Sequence, residues 1–550
     1  MRKAFKYFKF CWNYFYGYRR YVITIYLIDI VVLIASVITP LLSSQLITWI
    51  TISDTVRALY MVGIIVIIQT IMIFLRHFLF RLDRFVSRNV SVQVKTRFLN
   101  ELLDIEPKRL GNYNDGKIYS LLERDSNSIV SYVFTILDSI LNFVTVIAIG
   151  IIILFLCYPL ALVIFLTYPI MLVSNIFFGK KLKSRQTILL KETDEYNSFV
   201  KNIINNFDDV KSLSGNIKIK EKYLNTNEAI KLRYFQMDML QRWNQNCSNI
   251  IGLINYIFFN VIGILLVVAG KLILGDFIAF NSYSTSFTSS LNSIVSLNAI
   301  LQPTYVTIDR LSDLEQTYNN YLLDEKKKKS AFDSCDIVLH GLSLNLSGRI
   351  IFKDINVKLH EGEILRICGK NGCGKTSLFR ILKKELNYNG TIFIGKNDYN
   401  NVSYKLVQRE IIFLRQNPSL LHISLYDNIT LFDANKELEE SKVVEACKKT
   451  LLWDDIQTLP NGLYTIIDDN MKLSAGQIQK IQLSRAILSN AKIVLCDEIF
   501  ANLDDEATNI AVNILSELHS EGRTILYVSH QNNIVSGQVH ELDLEKMRIL

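Results

Sequence analysis

The residues best equipped for chemistry lie in GKNGCGKTS, Gly369 to Ser377, between a short apolar run and a segment with helical spacing. Gly369, Gly372 and Gly374 let the backbone curl until several N–H groups converge, and the start of the following helix adds partial positive charge there. A polyphosphate suits such a cradle. Lys375 can reach its outer phosphates, the Thr376 hydroxyl can bind magnesium, and Asn371, Cys373 and Ser377 complete the turn. The surrounding GEILRICGKNGCGKTSLFRIL reads as strand, glycine loop and helix, a context that an accidental glycine turn lacks.

A second chemical element is KIVLCDE, an apolar strand ending on Asp497 and Glu498. It would deliver one carboxylate towards a nucleotide's magnesium ion and the next towards the attacking water. Cys368 and Cys373 bracket the phosphate loop. Both are expected to be small buried side chains; a reactive Cys373 thiol whose modification blocks nucleotide binding is the alternative, to be decided by maleimide labelling with and without ATP.

The elements that position these groups begin near residue 331, where short β-rich runs (IVLHGLSLNL, GTIFIG, EIIFLRQ, KIVLCDE, TILYVSH) alternate with helical segments. This pattern predicts an α/β domain with a mostly parallel sheet over 333–550. Ahead of it, DEKKKKS reads as a solvated linker over 326–332, with a lipid-headgroup contact as the alternative.

Residues 1–325 are of another kind. Apolar runs at 21–43, 59–80, 132–156, 158–178, 249–270 and, less purely, 277–301 match the roughly 20 residues a membrane-spanning helix needs. Six spans put both ends of the region on one side. Arg2, Lys3, Lys6, Lys9, Arg19 and Arg20 precede the first span; Arg76, Arg81, Arg84, Arg88 and Lys95 follow the second; Lys180, Lys181, Lys183 and Arg185 follow the fourth. By the positive-inside rule these sides are cytoplasmic. The connections after the second and fourth spans keep helical spacing (Phe98, Leu99, Leu102, Leu103; Phe199, Ile203, Ile204, Phe207), which predicts helices continuing far beyond the membrane.

Composition agrees with a chain of two parts: 50% hydrophobic and 20% charged residues over 550 positions, with mean hydropathy +0.22. The net charge of +8 is assigned to membrane flanks, not to nucleic acid. Eight cysteines without a CxxC pair or His/Cys cluster argue against metal ligation and against a disulfide framework. No cleaved signal peptide is expected, and the roughly 20 residues before the first span leave no room for a leader-cleaving domain in this sequence.

KLSAGQIQK, Lys472 to Lys480, resembles the signature motif of ATP-binding cassette (ABC) proteins, and the family's other motifs follow in order. Gln416 in FLRQNP resembles the Q-loop glutamine, Asp504 in ANLDD the D-loop aspartate, and His530 in YVSHQ the switch histidine. Six spans and two long loops ahead of one cassette resemble a half-transporter of the type IV exporter fold: a polytopic helical membrane domain fused to an α/β P-loop cassette with a helical subdomain. DGKIYSLLERDSNSI (Asp115 to Ile129) and NNFDDVKSL (Asn205 to Leu213) stand where the two coupling helices would be.

The resemblance implies ATP and Mg2+ as cofactors and a second half-transporter as partner, a homodimer being favoured over a heterodimer because no motif is degenerate. Each ATP would lie between the phosphate loop of one chain and Ser474, Gly476 and Gln477 of the other. Thr376, Gln416 and Asp497 would hold magnesium, partly through water; Glu498 would act as general base and His530 would contact the γ-phosphate. Two departures stand out. Leu346 occupies the position where the family usually has an adenine-stacking aromatic, with Phe352 expected in the core of the next strand, and Ala475 replaces the first signature glycine. The implied activity is ATP-driven export by alternating access in the plasma membrane. A modified or cyclic peptide is the favoured substrate, because the sixth span is hydroxyl-rich and the span interiors carry almost no charge. Multidrug or lipid export, import through the same fold, and an ATP-gated channel remain alternatives; the spans exclude a soluble cassette protein.

Overall fold

The computed structural model describes all residues except 1, 112, 114, 213–215, 347, 432–437, 469–472, 502, 530–534, 536, 545–547 and 550. They form two compact units: one of residues 1–100 and 116–314, the other of residues 101–115 and 315–550.

The first unit is helical. A short α1 (Arg2–Asn13) leads into α2 (Arg19–Thr51) and α3 (Thr55–Asp104). α4 (Asp115–Ser120) runs through a π-helical turn at Leu121–Asp125 into α5 (Ser126–Leu156), followed by α6 (Tyr158–Asn205), α7 (Phe207–Ser212), α8 (Asn216–Val268) and α9 (Leu274–Glu325). The connections after α2, α5 and α8 are short, as expected. At the tightest, Cys157 alone is extended (φ −160°) and Pro159 stands in the first turn of α6, where its missing N–H goes unneeded. The predicted long helical continuations are present: α3 and α6 run 50 and 48 residues, and α8 runs 53.

Among the described residues, five helical stretches are long and apolar enough to cross a membrane. The sixth expected span is a 52-residue helix, α9, but falls outside that set because serine, threonine and asparagine interrupt its apolar windows. Several of its hydroxyls bond within the helix: Ser282, Thr285, Thr288 and Ser293 donate to carbonyls four residues back, and Ser289 and Ser296 to carbonyls three back. One face of α9 carries Tyr283 and Phe287 into a buried cluster with Ile149, Leu160, Ile164 and Phe259, while Thr285, Ser286 and Ser289 are exposed. Close packing also ties the start of α9 to α2, where Ser44 donates to Asp276 at 2.7 Å. Of the two segments expected to hold the coupling helices, 115–129 forms α4, the π turn and the start of α5, and 205–212 contains the turn and a half of α7.

The second unit holds two sheets. β1 (Ile337–Leu346), β2 (Arg349–Leu359), β4 (Asn389–Ile394) and β5 (Asn397–Asp398) pair antiparallel in the order β2-β1-β4-β5. β3 (Ile364–Cys368), β6 (Ile411–Leu414), β7 (Ile493–Asp497), β8 (Thr524–Val528), β9 (Val539–Asp543) and β10 (Arg548–Ile549) form the order β10-β9-β3-β8-β7-β6, parallel except for the β10-β9 pair. β7 and β8 are buried at every position, which is why they read as unbroken apolar runs. Helices α10 (Lys375–Leu382), α11 (Tyr404–Glu410), α15 (Ala475–Leu488) and α16 (Asp505–Ser520) accompany the sheets. α12 (Leu425–Ile429), α13 (Glu440–Lys449) and α14 (Trp453–Gln457) share a separate core of Leu425, Ile429, Val443, Cys447, Leu452 and Ile456 with Ile481 of α15.

At the start of β4, Gly390 sits at φ +101°, and a Cβ there would lie 2.5 Å from the Gly341 carbonyl oxygen and 2.7 Å from that of His340. Neither backbone atom can withdraw without breaking the β1-β4 ladder. Gly390→Ala is expected to cost about 3 kcal/mol. Differential scanning calorimetry of the full chain should show the cassette transition lowered by about 5–10 °C; an unchanged transition would contradict this packing.

Candidate functional site at the carboxyl ends of the parallel strands

The candidate residues come from different stretches of sequence but follow strands of one parallel sheet. The phosphate loop follows β3, Gln416 follows β6, and Asp497 ends β7 with Glu498 next. Carboxyl ends of adjacent parallel strands are where a doubly wound sheet opens a crevice for a ligand.

Local sequence determines the shape of the loop. Gly374 caps α10 at φ +106°, and a Cβ there would lie 2.7 Å from both Ile351 and Phe352 side-chain atoms. A Cβ on Gly369, at φ +138°, would meet the Cys373 sulfur at 2.7 Å. Any side chain at either position would therefore force the loop open. Cys373 and Cys368 are both half-buried, less enclosed than expected; burial pushes the Cys368 thiol up.

Lys375 is buried and its Nζ donates to the Gly369 carbonyl at 2.7 Å. The ammonium thus sits inside the loop it would share with a phosphate. Thr376 hydrogen-bonds the Asp497 carboxyl. Burial is the main cause that pushes Asp497 up, Glu498 adds to it, and Thr376 and Lys375 oppose it. A dry carboxyl held with a hydroxyl and raised in this way gains most from a nearby cation. This all-oxygen donor set fits Mg2+, which takes one or two protein oxygens and completes its shell with phosphate and water.

Glu498 has a left-handed backbone (φ +50°), unusual for a non-glycine residue, and its N–H bonds the Val528 carbonyl at 3.2 Å. Strain of this kind persists only where the surroundings over-determine it. Its carboxylate accepts a short hydrogen bond from the Gln416 side-chain amide. The two residues expected to handle water and magnesium are therefore in direct contact.

Two residues that sequence reasoning passed over hold Gln416 in place. Gln479 Nε2 donates to the Gln416 carbonyl at 2.8 Å; Gln482 accepts from Arg415 N at 2.7 Å and donates to Arg415 O at 2.6 Å. Both glutamines are buried on α15. The sequence clue was two amides three residues apart on a helix that is otherwise largely core-facing. Ser474 caps α15, accepting from Gln477 N at 3.2 Å while the Gln477 side chain accepts from Ser474 N at 2.8 Å, a reciprocal capping box that sets the signature segment, with Gly476 in its first turn. Asp504 caps α16 through Ala507 N at 2.7 Å. Phe352 is in the core, as expected, and Leu346 is half-buried against the same core at the hairpin end. His530, Lys472 and Asn502 lie outside the described residues.

The fold and this strand-end constellation define a P-loop nucleotide-binding cassette carried on a helical membrane unit. The family comparisons match that architecture: the ABC transporter transmembrane region over residues 22–291 and the ABC transporter cassette over residues 352–501 of the same chain. The chain belongs to the ABC transporters. It is 25% identical over 474 residues to the lactococcin-A transport/processing ATP-binding protein LcnC of Lactococcus lactis subsp. lactis, an alignment covering 85% of this chain and 65% of that relative. It is 28% identical over 285 residues to an ATP-dependent lipid A-core flippase of Methylobacillus flagellatus, covering 51% of this chain and 48% of the flippase. The fold matches a bacterial Atm1-family ABC exporter with ATP bound, at TM-score 0.82 and 15% identity over 96% of this chain and 94% of that one.

Proposed function

We propose that this chain is one half of an ATP-driven exporter, working as a dimer in the cell membrane with both termini and the cassette on the cytoplasmic side. The observation that carries this reading is the Lys375, Thr376, Asp497, Glu498 and Gln416 constellation in one chain with the apolar helices.

In this reading the loop N–H groups and Lys375 hold the β and γ phosphates of ATP, with Asn371, Cys373 and Ser377 around them. Ser474, Gly476 and Gln477 of a second copy, with Asp504 between the two sites, close over the γ-phosphate. Magnesium, held by Thr376 and Asp497 and through water by Gln416, would neutralise charge on the phosphate oxygens. Glu498 takes a proton from the attacking water as the water oxygen bonds phosphorus and the bond to the ADP oxygen breaks, and His530 steadies the γ-phosphate. Closed and open cassette pairs then bias two arrangements of the helices.

The favoured substrate is a modified or cyclic peptide. The exposed hydroxyl face of α9 supports it, as do relatives whose names include lactococcin and lacticin-481 transport. A lipid is the second reading, favoured by the flippase relative. The deciding experiment measures ATP hydrolysis by the protein in proteoliposomes with cyclic or thioether-bridged peptides, lipid A or amphipathic drugs added in turn. Peptide-specific stimulation with vectorial movement of labelled peptide is expected; stimulation by lipid alone would replace peptide with lipid as substrate.

A further inference from the structure

Glu106 follows α3 and is completely buried, an unusual position for a carboxylate. Four cations surround it: Lys108 at 3.4 Å, Arg109 at 3.4 Å, Lys328 at 3.4 Å and Lys384 at 3.5 Å. Burial alone would push its carboxyl up, yet Lys108, Lys384, Lys328 and Arg109 together outweigh burial and hold it below its ordinary range. Removing one partner from such a buried cluster leaves an uncompensated charge.

The cations come from three places within the second unit. Lys108 and Arg109 belong to the turn that follows α3. Lys328 belongs to the segment that follows α9, where Glu325 Oε1 accepts from Tyr404 N at 2.5 Å and Lys329 exchanges backbone hydrogen bonds with residues 401 and 403. Lys384 stands two residues beyond α10, and α10 starts at the phosphate loop. Its Nζ also donates to the Val402 carbonyl at 2.6 Å, and the Lys108 N–H reaches the Lys384 carbonyl at 3.4 Å. Beside the ionic cluster, Ile105, Tyr321 and Tyr404 pack together, joining the same segments through apolar contact.

A phosphate at the N-terminal end of α10 and Glu106 at the far end therefore act on one short rigid helix. We propose that Glu106 is a positioning residue that couples α10 to the ends of α3 and α9, so that nucleotide-driven displacement of α10 is passed to two membrane helices by a route separate from Gln416. The inference rests on the reading of the cassette as a paired, ATP-closed engine. Without the carboxylate, Lys108 and Lys384 repel one another while Lys328 keeps Glu325 and Arg109 keeps Asp324, and the helix ends can slip against α10.

The test uses the full chain in lipid nanodiscs, with spin labels introduced as unnatural amino acids to avoid the eight native cysteines. Labels at exposed Tyr464 report cassette closure between two copies, and labels at exposed Leu59 report α3. In the wild type both distances shift with ATP and vanadate. In Glu106→Gln the Tyr464 shift remains and the Leu59 shift is lost, whereas Glu106→Asp, which keeps the charge, retains both. Should Glu106→Gln fail to fold, Lys384→Met, which leaves three cations on the carboxylate, carries the same comparison. A normal Leu59 shift in folded Glu106→Gln or Lys384→Met would overturn the coupling role. Absence of any Tyr464 shift in the wild type would overturn the paired-cassette reading, and this inference with it.

Discussion

Glu498→Gln is expected to lower ATP turnover by at least about 100-fold, the usual contribution of a positioned general base, while ATP affinity stays within a few-fold of wild type. The replacement keeps the side chain's size, and a glutamine oxygen can still accept the hydrogen bond that Gln416 donates to Glu498. The backbone strain at φ +50° is likewise unchanged, because it belongs to the turn between β7 and Phe500 and not to the side chain. What disappears is the ability to take a proton. Bound nucleotide then accumulates and the closed pair is trapped, so a variant incubated with ATP should elute as a stable dimer holding unhydrolysed nucleotide. Hydrolysis at the wild-type rate would remove Glu498 from the role of base.

Lys375→Ala acts at the earlier step. Its ammonium, buried and held on the Gly369 carbonyl, is the cation nearest the phosphate-binding N–H groups. A charge-assisted hydrogen bond contributes about 1.5–3 kcal/mol, so ATP affinity should fall by about 10- to 150-fold. Lys375→Met keeps the buried stem and should show the same loss, which separates charge from packing. Titration with a fluorescent ATP analogue reads the change directly. The two variants are thus distinguished by which constant moves: turnover for Glu498, dissociation for Lys375. An unchanged affinity in both Lys375 variants would show that the loop N–H groups alone hold the phosphates.

The contacts that act in these two variants differ in how visible they are in the sequence. Lys375 and its glycines were legible because the loop's function is local: the residues that bend it, bind with it and start its helix are consecutive. Asp497 and Glu498 were legible because a buried parallel strand must be apolar and stop abruptly at a polar crevice. The helical continuations of α3, α6 and α8 were readable from apolar spacing well past the membrane length. α9 was readable as a helix; that several of its hydroxyls bond their own backbone was not.

The order of motifs, the division into an apolar helical part and an α/β cassette, and the residue types at each step of nucleotide chemistry are all written in the chain. These are properties of short windows, where side-chain period and turn chemistry act between neighbours. Folding alone brings Gln416 to Glu498, fastens the Gln416 segment to α15 through Gln479 and Gln482, and gathers lysines from three segments around Glu106. Lys328 alone is 222 residues from Glu106 along the chain. A buried charge leaves no periodic trace in sequence, because what compensates it is supplied wherever folding brings a cation within reach.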